Sequence, residues 1–192
     1  MGETQKAYER RLRTGWFDKY IPETENGIDI GCALDPVSKN FQLWDYIFGN
    51  GDATFMEEVQ DDSFHTVYAS HVLEHLSDPV TAVKNWYRIL KPHGHLIILV
   101  PHRDLYEKKA RLPSNWNGDH KYFYLPEETL EFEINSSLLC LKDVVLKAIP
   151  NANIVSYEIL NEGYKKLPLD VHAEGEYSIE IIIKKPKPRL VF

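Results

Sequence analysis

The sequence predicts an open α/β sheet, mostly parallel, with helices on both faces and an antiparallel closing strand. Three observations predict it. Apolar runs of strand length, at residues 27–31, 65–69 and 96–100, alternate with stretches of helical periodicity. Each run stops at Gly31, Ser70 or Pro101, small or rigid residues that suit a strand end. Two further strand-like runs, 154–160 and 177–184, close the chain. At 192 residues the chain can bury one full core, so a single domain over 1–185 is expected, with a basic, Pro-containing tail at 186–192.

The elements follow in order. Residues 4–20 place Tyr8, Leu12, Trp16 and Tyr20 at steps of four with charges between them, an amphipathic helix within an N-terminal segment 1–22. Residues 27–31 form a buried strand feeding a tight turn. The signal from 37 to 50 is weak, with 41–45 as a short strand. The β-branched and aromatic run 65–69 is another strand. Asp78-Pro79 starts a helix, with Asp as N-cap and Pro in the first turn. Ala82, Val83, Trp86, Ile89 and Leu90 share one face of it, and Lys91-Pro92-His93-Gly94 ends it. Residues 127–134 and 138–149 read as helices, and 177–184 as a strand with isoleucines alternating inward and outward.

Composition removes several classes of function. The net charge of −7 repels phosphate backbones, so no nucleic-acid partner is expected. Cys32 and Cys140 lie far apart with no C-x-x-C pair, which offers neither a disulfide framework nor a cysteine metal site. The start Met-Gly-Glu-Thr-Gln-Lys has no apolar signal core, and Lys6 breaks the myristoylation pattern. The longest apolar runs are too short to span a bilayer. The expectation is a cytoplasmic protein without a membrane partner; oligomeric state is not legible.

Three blocks carry the chemistry: Gly27-Ile-Asp-Ile-Gly-Cys-Ala, Gly51-Asp-Ala, and Tyr68-Ala-Ser-His-Val-Leu-Glu-His-Leu with Ile89-Leu-Lys-Pro-His-Gly beyond it. In this order and spacing, over residues 26–126, they resemble the class I S-adenosylmethionine-dependent methyltransferases, in particular the branch that modifies small molecules and sugars. The resemblance implies a Rossmann-like sheet and S-adenosylmethionine as cofactor. It places the methionine part of the cofactor beside Asp29, Gly31 and Cys32. It gives Asp45 the ribose hydroxyls, Asp52 the adenine amino group with Ala53 against the ring, and Ser70 and His71 the region of the methyl. A glycine at residue 31 lets backbone approach a ligand closely, and a carboxylate can accept two hydrogen bonds from a cis-diol. Each acid also has a plainer reading: Asp29 as a turn cap, Asp45 as a loop residue, Asp52 as turn chemistry. Only six residues separate Asp45 from Asp52, so the usual helix and strand cannot both fit, and the sheet is expected to be trimmed between its first and fourth strands.

The acceptor side is expected after the strand at 96–100. His102, Arg103 and Asp104 begin a stretch running to Tyr124 that is crowded with His, Asp, Asn, Trp and Tyr, a composition suited to a small-molecule acceptor pocket. Methyl transfer is an in-line displacement at carbon, so alignment dominates and a hydroxyl acceptor also needs a base. His120, His71 and His102 are the candidates in that order, since imidazole titrates near neutral pH. No metal is expected: His71, Glu74 and His75 spell H-x-x-E-H, like an inverted zincin, but the same letters fall on the methyltransferase block. The other reading of the chain is a non-catalytic cofactor-binding or interaction module of the same fold. A dehydrogenase fits poorly, because G-x-G-x-x-G is absent.

Overall fold

The computed structural model describes residues 3–108, 112–113, 117–165 and 175–187. Two helices lead in, α1 (Glu3–Arg13) and α2 (Trp16–Tyr20). The single helix expected over 4–20 breaks because Gly15 takes φ 67, a left-handed conformation that a side chain would oppose. The break shifts the phase of the apolar stripe. Trp16 and Tyr20 are buried, whereas Tyr8 and Leu12 are 49% and 56% exposed, and α1 turns Ala7 and Arg11 inward instead.

The main sheet uses β1 (Gly27–Ile30), β2 (Gln42–Trp44), β3 (Phe64–Ser70) and β4 (Leu90–Pro101), all parallel. A separate parallel pair follows, β5 (Phe123–Leu125) with β6 (Leu138–Cys140). Then β7 (Ile154–Leu160) and β8 (Ser178–Lys184) complete the main sheet in the order β2-β1-β3-β4-β8-β7. Strand β8 lies antiparallel to both β4 and β7, which makes it the closing strand. No α-helix lies between β1 and β2 or between β2 and β3; a 3-10 turn at Tyr46–Phe48 is the regular structure there. That is the trimmed edge.

Each face of the sheet has its own core. Helices α3 (Pro79–Arg88) and α4 (Leu141–Ala148) bring Val83, Trp86, Leu141 and Val145 onto Ile28, Val67, Leu96 and Ile181. On the other face Trp16, Tyr20 and Phe41 meet Tyr68, Ile97, Leu99 and Ile182. The isoleucines of β8 therefore alternate between two buried cores, not between core and solvent, as buried central strands do.

Local rules explain the remaining boundaries. Asp78 caps α3 by accepting from the Thr81 N–H at 3.0 Å, with Pro79 in the first turn, as the Asp-Pro pair predicts. Helix α3 stops at Arg88, and Lys91 to Gly94 already belong to β4, so that stretch is strand and not a terminating loop. Lys185, the last residue of the expected domain, donates to the carbonyls of Tyr87 at 3.0 Å and Leu90 at 2.6 Å, a cation against the C-terminal end of α3. The last five residues of the expected tail, 188–192, lie outside the described residues. The helix expected over 127–134 is only a 3-10 turn, Leu130–Glu133, because Leu130 and Ile134 are exposed and find no surface to cover. The helix expected from 138 begins at Leu141, its first three residues being drawn into β6. Among the described residues no helix is long and apolar enough to cross a membrane.

Candidate active site

In an open parallel sheet, ligands sit at the carboxyl ends of strands where the strand order reverses. Here β1 connects outward to β2, and β3 lies on the opposite side of β1, so the reversal falls between β1 and β3. A cleft of about 740 Å³ opens at that point, roofed by the inward face of α1. Asp29, Gly31 and Cys32 enter from β1, Ser70 and His71 from β3, Leu99 from β4, Ser178 from β8, and Ala7, Tyr8 and Arg11 from α1.

The turn after β1 has the backbone its glycine implies. Gly31 sits at φ 72, and a Cβ there would meet Val72 Cγ2 at 2.2 Å. Its N–H donates to the Trp44 carbonyl at 2.7 Å, which ties the turn to β2. Ala33 and Leu34, which follow Cys32, are both exposed, Leu34 by 83%, so neither fills the cleft.

Asp29 is the buried charge of the cleft floor. Its Oδ2 accepts from the Val37 N–H at 2.7 Å and so closes the loop after Gly31. Burial pushes its carboxyl up to about 7, while the Val37 hydrogen bond and the Arg11 charge pull the other way. Arg11 donates to the Tyr68 hydroxyl at 2.8 Å, and its guanidinium lies 4.6 Å from the centre of the Trp16 ring. A cation and an acid thus face one cleft. The sequence reading missed Arg11, whose only signal is its position four residues after Ala7; Glu176 and Ser178 of the same cleft were also missed.

Asp45, Asp52 and Ala53 do not line this cleft. Asp45 is buried; its Oδ2 accepts from the Ala33 N–H at 2.9 Å and its Oδ1 from the Ile47 N–H at 3.1 Å. It fastens the turn after β1 to the start of the 3-10 turn. Asp52 is exposed, and its Oδ1 accepts from the Thr54 N–H at 2.7 Å, an Asx turn. The Ala53 carbonyl accepts from Trp86 Nε1 at 2.9 Å.

The three candidate bases occupy different places. His71, at φ 56, lines the cleft with Nε2 2.9 Å from Ser178 Oγ. Burial pulls its imidazole down to about 3, so it stays neutral at neutral pH. His102 is buried away from the cleft; its Nδ1 accepts from the Asp104 N–H at 3.1 Å and caps the turn Arg103–Glu107. His120 is buried with its Nδ1 in close contact with Glu107 Oε1. Asp119, its neighbour in sequence, pairs instead with His75, 3.0 Å from Nδ1. The structure thus assembles Glu74, His75, Glu107, Asp119 and His120 into one nest, which the sequence reading did not foresee. Of the acceptor loop expected from 102 to 124, residues 109–111 and 114–116 lie outside the described residues.

Residues 14–98 match the family model described as a methyltransferase domain. No curated protein matches the chain. Among solved structures, a protein from Thermotoga maritima described as a possible histamine N-methyltransferase is 18% identical, with 93% of this chain and 95% of that chain covered and a TM-score of 0.51. A proposed S-adenosylmethionine-dependent methyltransferase from Listeria monocytogenes is 12% identical, with 90% and 97% covered and a TM-score of 0.55. An S-adenosylmethionine-dependent methyltransferase from Mesorhizobium loti is also 12% identical, with 84% and 91% covered and a TM-score of 0.51. These likenesses are of fold. The domain match spans less than half of the chain, and what the chain shares with these structures is its fold.

Proposed function

We propose that the chain moves a methyl group from S-adenosylmethionine to an oxygen or nitrogen atom of a small molecule, with sugars and nucleotide sugars as the first class to test. The observation that carries this reading is the cleft at the β1–β3 reversal, where Asp29 and Arg11 meet a glycine turn. The bound cofactor would supply an electrophilic methyl on a sulfonium, next to an amino-acid zwitterion. Asp29 suits the ammonium end of that zwitterion and Arg11 its carboxylate, with Gly31 and Cys32 beside them. Asp45 remains the proposed ribose partner and Asp52 the adenine partner, with Ala53 against the ring; each still has hydrogen-bonding capacity beyond its turn contacts. Asp52→Ala is then expected to weaken cofactor binding by about 1–3 kcal/mol. Ser70 and His71 stand at the β3 end, where acceptor and methyl would meet. The neutral imidazole of His71 can exchange a hydrogen bond with an acceptor without placing a positive charge near a sulfonium. His120 and His102 are buried in structural contacts, so His71 replaces His120 as our first candidate for a residue in contact with the acceptor. The acidic net charge and the buried, free Cys32 and Cys140 favour a small substrate and a reducing, cytoplasmic setting.

The test is release of S-adenosylhomocysteine by the purified chain from a panel of nucleotide sugars and small amines. Acceptor-dependent release, reduced in His71→Ala with cofactor affinity intact, supports the reading. Binding of the cofactor without release from any acceptor supports a non-catalytic module instead.

A further inference from the structure

We propose that Glu74, His75 and His120 hold one divalent first-row cation, zinc being the species their donor set suits, at the edge of the cleft. One ligand atom from each lies within 4.8 Å of the others. Glu74 Oε1 is 3.9 Å from His75 Nε2 and 3.9 Å from His120 Nε2. That separation is too long for a hydrogen bond. Two donors held by one zinc at about 2.0–2.2 Å stand about 3.3–3.6 Å apart at tetrahedral angles, so these donors reach a shared ion by closing a few tenths of an ångström. The two imidazoles stand edge to face, with centroids 4.6 Å apart and planes at 85°.

The outer contacts point the same way. Each histidine turns Nε2 toward Glu74 and its far nitrogen toward a second carboxylate, with His75 Nδ1 3.0 Å from Asp119 Oδ2 and His120 Nδ1 close to Glu107 Oε1. A metal-ligating histidine is held in this manner, one nitrogen on the ion and the other on a carboxylate that fixes the tautomer and the ring. Backbone bonds fix the two strands of the site to each other, since the N–H groups of Lys121 and Tyr122 both donate to the Glu74 carbonyl, at 2.8 and 3.2 Å. Glu74 and His120 are buried, 1% and 7% exposed. Three protein ligands leave coordination positions open, the arrangement of a catalytic and not a purely structural site.

The site adjoins the cleft through His71, which lines the cleft and has its Nδ1 4.0 Å from Glu74 Oε1. Resting on the methyltransferase reading, the open position takes the hydroxyl oxygen of an acceptor. Coordination lowers the pKa of that hydroxyl, whose proton passes to solvent. The oxygen then forms the new C–O bond as the C–S bond breaks, leaving a neutral thioether. The acceptor is accordingly a hydroxyl compound.

The experiment titrates the full chain, freed of metal by a chelator, with Zn²⁺ against a chromogenic competitor and with Co²⁺ followed by its visible spectrum. One ion per chain is expected, with cobalt bands of a low-coordinate nitrogen and oxygen site. Glu74→Gln, His75→Asn and His120→Asn should each lose affinity by more than about 100-fold, and Glu107→Gln by about 10–100-fold. His65→Gln, at a histidine paired with Glu25 outside the nest, should bind as the wild type does. Wild-type protein that takes up no stoichiometric Zn²⁺, or a His65→Gln variant as impaired as the nest variants, overturns the site. Should the nest variants fail to fold, the wild-type cobalt spectrum decides: octahedral, water-like bands overturn the site. Metal binding without S-adenosylmethionine binding keeps the site and removes its catalytic role. Cofactor binding without metal binding removes the site and leaves methyl transfer standing.

Discussion

The cleft floor at β1 and the acid–histidine nest behind β3 are neighbours built by different means. The floor comes from contiguous residues, Asp29 to Cys32, and its shape is mostly backbone, set by the left-handed Gly31 and by the Val37 N–H on Asp29. Its buried acid has one distant counter-charge, Arg11, and burial dominates its protonation. The nest joins Glu74 and His75 to Glu107, Asp119 and His120, and its carboxylates and imidazoles meet in close pairs. The floor thus presents Asp29 and Arg11 to one cleft, while the nest gathers its donors around one shared position.

The largest effect expected from breaking this contrast is in the nest. Glu107→Ala removes one partner of the buried Glu107–His120 contact and should lower unfolding free energy by about 3–5 kcal/mol. Cofactor affinity in the folded variant should stay within twofold of wild type. Urea denaturation and calorimetry read both quantities, and a large loss of cofactor affinity would show that the two regions are one.

On the floor, Gly31→Ala should cost about 2–3 kcal/mol of stability, from the positive φ and the contact with Val72. Adding Val72→Ala should recover part of that loss. A neutral Gly31→Ala variant would mean that the turn relaxes freely.

Arg11→Met should weaken S-adenosylmethionine and S-adenosylhomocysteine alike by about 1.5–3 kcal/mol, the contribution of a hydrogen bond to a charged group. Methylthioadenosine, which lacks the amino-acid end, should bind both proteins equally. Equal losses for all three ligands would place Arg11 elsewhere on the cofactor.

The smallest effect is on pH dependence. The folded-state pKa of Asp29 is raised from 3.8 to about 7, so the group favours the folded state most below about pH 4, and that advantage is lost as pH rises toward 7. Asp29→Asn should therefore gain stability relative to wild type across that window. A cationic ligand beside Asp29 lowers its pKa again, so binding should release a proton and wild-type affinity should rise between about pH 6 and 8. A profile as steep in Asp29→Asn as in wild type would assign the titration to another group.

The same contrast explains what could be read from sequence. Asp29, Gly31, Ser70 and His71 were legible because they sit in contiguous blocks at strand ends, and the Asp78-Pro79 cap because its rule is local. Arg11 was hidden by the left-handed Gly15, which ends α1 and turns a different face inward than the four-residue spacing implies. The nest was hidden because its pairs cross the chain, with Asp119 passing over its neighbour to reach His75. Residues 138–140 carry helical periodicity, yet they become a strand because β5 offers them backbone partners that no local pattern announces.

We propose the cleft between α1 and the ends of β1 and β3 as the cofactor site. A calorimetric titration of S-adenosylhomocysteine into wild type and Arg11→Met tests it most directly. One site per chain is expected, saturable in wild type and weakened about tenfold or more in Arg11→Met. Undiminished binding in a folded Arg11→Met variant, or no binding to wild type at all, would contradict it.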